Sequence, residues 1–164
     1  MTVPARSDRG EPELPPDYRE IELMAKELLE LRVACLSQSS PSTKLIQRLD
    51  AAIVALKQID LDAARQTATR PEVVVYLGML IKCYPAGAQD AKIFGRLLRE
   101  DILQLDPPRA AVAIACRRCR LKYRFMPSIA EIVEETRSII GLVTSAVEFA
   151  SRIGAERDRL AKDR

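Results

Sequence analysis

Two thiols and a run of cations are the residues in this chain best suited to chemistry. Cys116 and Cys119 stand in a Cys-Arg-Arg-Cys phrase. Such a pair ligates zinc or cycles through a disulfide when its thiols ionise. A structural zinc site needs four ligands, and Cys35 and Cys83 are the only other cysteines. There is no second C-x-x-C, and the pair lies in an apolar helix-forming stretch. The expectation is therefore two small packed hydrophobes, with no metal and no cofactor. Around them, residues 107–126 carry cations and no carboxylate. At 100° per residue, Arg109, Arg117, Arg120 and Arg124 fall on one flank of a helix, with Arg118 and Lys122 on the other. That ridge is about 22 Å long at 1.5 Å per residue and could hold nucleic-acid phosphate or an acidic partner. Its alternative is neutralisation within the chain, by Glu100 and Asp101 or by Glu131, Glu134 and Glu135.

Other chemistries find little support. Histidine is absent, which removes the usual general base and the Ser/His and Cys/His nucleophile pairs. The pairs Asp60/Asp62 and Glu134/Glu135 are spaced so that their side chains leave a helix in different directions. No glycine-rich phosphate loop is present. The chain reads as a non-enzyme. Its formal net charge of +3 says little. Its distribution says more, with an acidic excess in the first thirty residues and the basic stretch at 107–126.

The elements that must position these residues read as helices. Glycine is scarce, Trp is absent, and aliphatic residues dominate the hydrophobic 48%. The predicted fold is all-α: a small helical bundle whose long C-terminal helix packs on an N-terminal α-hairpin. Residues 1–16 read as a disordered arm. Residues 17–58 read as a helical hairpin. Its first helix begins at Asp17 and carries a heptad-like seam of Ile21, Met24, Leu28, Leu31 and Cys35. Ser40 and Pro41 are expected to open the second helix, with Leu45, Leu49, Ala52, Ile53 and Leu56 on its apolar face. Residues 59–71 read as a linker with one weak helical turn.

Pro71 starts a helix of nearly uniform apolarity, EVVVYLGMLIKC, for which no partner strand is visible. Tyr84, Pro85 and Gly87 break it, and Ile93, Phe94, Leu97, Leu98, Ile102 and Leu105 trace an amphipathic helix. Asp106 is the expected cap of the basic helix. That helix has two apolar sides, Val112, Cys116, Cys119 and Tyr123 against Ile114, Leu121 and Phe125, so it should lie between neighbours. Ser128 with Glu131 forms a capping box, and one long helix follows with a seam from Ile132 to Leu160. The seams pack within the chain or make a coiled-coil homo-oligomer; the intramolecular bundle is the simpler use. With no apolar leader and no run long enough to span a membrane, a cytoplasmic protein with reduced thiols is expected.

Residues 72–137 resemble the phage replicative-helicase loader/inhibitor family. The residues that carry the likeness are Tyr84-Pro85 at a helix end, the helix around Phe94 to Leu103, and the helix from Pro107 to Tyr123. The phrase Phe125-Met126-Pro127-Ser128-Ile129-Ala130-Glu131-Ile132, of the type F-x-P-[ST]-x-x-E-[IL], then opens the last helix. The resemblance implies a non-enzymatic adaptor of DNA replication, from a phage or prophage. Such a protein binds the hexameric replicative helicase, restrains it, and delivers it to DNA held by an initiator protein. It also implies helicase contact through the C-terminal segment, here the helical extension 138–164, with Arg152, Ile153, Arg157, Arg159 and Leu160 as the docking residues. The hairpin at 17–58 has no counterpart in the family pattern. The alternative function is a DNA-binding or regulatory module using Arg109, Arg117, Arg120 and Arg124.

Overall fold

The computed structural model describes residues 14–37 and 42–163. Most of the expected arm lies outside that range, as do Ser40 and Pro41. The described residues form eight helices, and the fold is all-α. They are α1 (Arg19–Ser37), α2 (Thr43–Leu56), α3 (Leu61–Arg65), α4 (Arg70–Lys82), α5 (Ala91–Leu103), α6 (Arg109–Lys122), α7 (Ile129–Ala150) and α8 (Ile153–Lys162).

The helix starts follow local side-chain chemistry. Asp17, whose carboxylate accepts from the Arg19 N–H at 3.1 Å, leads into α1. The cap of α2 is Ser42, whose hydroxyl accepts from the Leu45 N–H, two residues after the expected Ser40. Asp60 caps α3 and Asp90 caps α5 in the same way. Thr69 and Glu72 close a full capping box on α4, with Pro71 in its first turn. Ser128 and Glu131 close the expected one on α7.

Asp106 does not cap α6. It sits at a φ of 45°, and the helix starts after Pro108 without a side-chain cap bond. The reason lies in the preceding segment. The Ala68 N–H donates to the Pro107 carbonyl and the Arg109 N–H to the Gln66 carbonyl, both at 2.8 Å. This isolated bridge of Thr67 with Pro108 satisfies the backbone that a cap would otherwise serve. The expected linker 59–71 is thus tied to the start of α6.

α7 is the spine. Over 22 residues it touches three apolar clusters in turn. Ile132 enters the first, with Val73, Leu77, Leu80, Leu98, Ile102, Val112 and Cys116 from α4, α5 and α6. Ile139 and Val143 enter the second, with Ile21, Ala64 and the Ala-rich first half of α6. Ala146 and Phe149 enter the third, with the seams of α1 and α2 and with Ile153 and Leu160 of α8. The long helix does pack on α1, and the heptad-like seams are used inside the chain.

The single C-terminal helix of the sequence reading is instead two. α7 ends at Ala150, and α8 leaves at 52° to it. The bend lets α8 turn onto α2, where Ile153 and Leu160 are buried at 4% and 2% exposure. A straight continuation would carry both away from that cluster. The expected two-sided burial of α6 holds for its first half only: Ile114 is fully buried, whereas Leu121 and Phe125 are 81% and 75% exposed.

Candidate partner-binding surface

The arginine ridge does not survive as one surface. Arg109 lies 3.1 Å from Glu72. Arg117 is held by the buried Glu22, with Asp17 at 3.9 Å. On the other flank, Arg118 reaches Glu22 at 2.9 Å and Glu135 at 3.2 Å, and Lys122 reaches Glu135 at 3.2 Å. Lys26 adds a further contact to Glu22 at 3.1 Å. The two carboxylates are 7% and 10% exposed, so they are largely desolvated and need several donors each. The network ties α1, α6 and α7 together. Of the expected internal partners only Glu135 serves the basic helix. Glu100 bonds Arg70 and Arg99, Glu131 is spent on Ser128, and Glu134 lies near Arg137. Glu22 and Glu72 were not readable as partners, because each meets α6 only through the tertiary fold.

Two members of the ridge remain. Arg120, in the last turn of α6, and Arg124, beyond its end, have no carboxylate within 4.0 Å among the described residues. Arg124 lies over the Phe125 ring at 5.6 Å. Leu121 and Phe125 are exposed in the same segment, with Leu121 beside Arg118, Lys122 and Glu135. This end is fixed by Tyr84, whose hydroxyl donates to the carbonyls of Cys119 and Tyr123, each at 3.1 Å. The Cys119 carbonyl also accepts the Tyr123 N–H, whereas the Tyr123 carbonyl lies past the helix end, outside the helical ladder. Burial raises the Tyr84 pKa, while the positive charge of Arg120 pulls it the other way.

The same contact brings the turn between α4 and α5 to the close of α6. α4 and α5 run antiparallel: Arg70 at the start of one bonds Glu100 near the end of the other at 2.7 Å. Gly95 faces Ile81, whose Cδ1 would lie 3.5 Å from a Cβ placed there. Lys82, Lys92 and Arg96 are therefore gathered at the end that Arg120 and Arg124 occupy. All three are exposed, and none has a carboxylate within 4.0 Å among the described residues.

Cys116 and Cys119 are buried against α4 and α5. Burial pushes the Cys116 thiol up to about 12 and the Cys119 thiol up to about 11, so both are neutral and poor ligands. Cys35 is buried in the α1–α2 cluster and its pKa is also raised, chiefly by burial. Cys83 is exposed. Cys116 and Cys119 are neighbours one turn apart on α6 and Cys35 lies in another cluster, and the described residues contain no group of three or more His, Cys, Asp or Glu with metal-binding geometry.

The expected docking residues of the C-terminal segment divide. Ile153 and Leu160 face the core and offer a partner nothing in this arrangement. Arg157 bonds Asp50 of α2 at 2.7 Å, Arg159 bonds Glu156 at 2.9 Å, and Arg152 lies 3.7 Å from Glu148. Their charges are largely used to fasten and order α8. No described helix is long and apolar enough to cross a membrane by itself. No protein-family model, no curated protein and no solved structure matches the chain.

Proposed function

We propose that the chain is a non-enzymatic adaptor of DNA replication that binds a replicative helicase and helps to load or restrain it, alongside an initiator protein. The resemblance of residues 72–137 names the partner. The observation that carries the reading is the pair Leu121 and Phe125, large apolar side chains left on the surface, one in the last turn of α6 and one just past its extended cap Tyr123. Apolar anchors with cations beside them, Arg118 and Lys122 by Leu121 and Arg124 by Phe125, suit a protein partner. The contact therefore moves from the C-terminal segment to the close of α6, since Ile153 and Leu160 are packed inward.

Pull-down of the host replicative helicase by the full chain is the direct test. We expect binding at micromolar concentration and its loss in the double variant Leu121→Ser/Phe125→Ser. Both side chains are exposed, so the variant should melt like the parent. Absence of binding by the parent at micromolar concentration would sink the reading. Undiminished binding by the variant would move the contact elsewhere.

A further inference from the structure

We infer that the end of the molecule formed by the α4–α5 turn and the close of α6 binds the phosphate backbone of nucleic acid. Five cations meet there from three helices. Lys82 is the last residue of α4, Lys92 and Arg96 lie one turn apart at the start of α5, and Arg120 and Arg124 flank the end of α6. None is committed to a carboxylate within 4.0 Å among the described residues, in contrast to Arg109, Arg117 and Arg118 on the same basic stretch. The one acid among these residues is Asp90, and its carboxylate accepts from the Ile93 N–H at 3.1 Å. Glu131 and Glu135 stand on the far flank of α6, where Ser128, Arg118 and Lys122 engage them. Glu100 and Asp101 lie at the opposite end of α5.

Desolvating these side chains therefore breaks no ion pair among the described residues, which suits contact with phosphate. The cations are spread over separate helix ends rather than set around one pocket. That arrangement suits a chain of phosphates better than a single anion, and no base-edge reader is needed for it. The exposed Phe125 ring beside Arg124 adds a face on which an unpaired base can stack. None of Lys82, Lys92 or Arg96 belongs to the sequence-defined ridge; the fold assembles the site from segments that look unrelated along the chain. The inference shares Arg124 and Phe125 with the helicase reading but does not require it.

Fluorescence anisotropy of the full chain with a labelled oligothymidine and, in parallel, a labelled duplex tests it. We expect binding of at least one of them. If four phosphates are neutralised on a single strand, affinity should fall about fiftyfold from roughly 50 to roughly 200 mM salt. Lys92→Glu/Arg96→Glu and Arg120→Glu/Arg124→Glu should each weaken binding at least about tenfold and flatten the salt dependence. Arg65→Glu, which alters an exposed cation paired with Asp62, is the control and should change little. Loss of affinity in Phe125→Ala on oligothymidine alone identifies the single strand as the preferred form. No binding of either nucleic acid at about 100 μM protein in low salt overturns the inference. So does an equal loss in the control, or polyglutamate binding as tightly as the oligonucleotide. Helicase capture that survives Lys92→Glu/Arg96→Glu, or DNA binding that persists where helicase capture fails, separates the two readings.

Discussion

Glu22 shows how single residues decide whether a basic helix is a surface or a strut. Its side chain is 7% exposed and meets Lys26, Arg117 and Arg118. Glu22→Gln would leave two partly buried guanidinium groups without their main counter-charge. We expect a loss of about 3 kcal/mol, at the low end for a broken buried pair because Arg118 keeps some solvent contact. Urea unfolding reads it, and a loss below about 1 kcal/mol would show that the network is incidental. Tyr84→Phe removes the hydroxyl that closes α6 and should cost about 1 kcal/mol by the same measurement. The thiols give a separate check. With folded values of about 12 and about 11, Cys116 and Cys119 stay protonated in the native chain while their unfolded counterparts ionise near pH 9. Their contribution to stability is complete below pH 9 and is lost as pH rises towards the folded values. At neutral pH a thiol reagent should label Cys83 at once and the buried cysteines only on unfolding; rapid labelling of all four would contradict the packing.

At the scale of elements, the ends that declare themselves locally were legible. Ser128 and Glu131 mark α7 because the signature and the contact lie within one turn. Thr69 and Glu72 carry the same signature, one residue ahead of the helix start with Pro71 in the first turn. The apolar run at 72–83 is a helix, as the absence of a partner strand suggested. Asp106 and the break after Ala150 were not legible, for one physical reason. Each is set by a distant segment, the Thr67–Pro108 bridge in one case and the α2 surface in the other. The seam from Ile132 to Leu160 keeps its rhythm across the bend because α8 also buries one face. The candidate site divided along the same line. Arg120 and Arg124 were visible in the sequence, but that they meet no carboxylate among the described residues was not, and Lys82, Lys92 and Arg96 join them through the packing of α4 on α6 that the Tyr84 contact closes. If α8 is core, Leu160→Ala should cost about 3 kcal/mol. A loss under about 1 kcal/mol would mean that α8 is a loose appendage.

At the scale of the molecule, the three clusters share one spine. The stretch proposed to be loader-like stops at residue 137, within α7, so its proposed bounds end at no structural boundary. We expect urea unfolding of the parent to be a single transition by both fluorescence and circular dichroism, since each cluster loses part of its wall if α7 frays. Two resolved transitions would show that part of the chain folds alone. The turn of α8 onto α2 has a further consequence, for biosynthesis. Asp50 and Arg157 are bonded across 107 residues of chain, and Leu49 shares its cluster with Leu160. α1 and α2 therefore keep an unfinished apolar face until α8 leaves the ribosome. Over that interval the face is open to chaperones or to a neighbouring nascent chain, and α8 arrives as the piece that closes it.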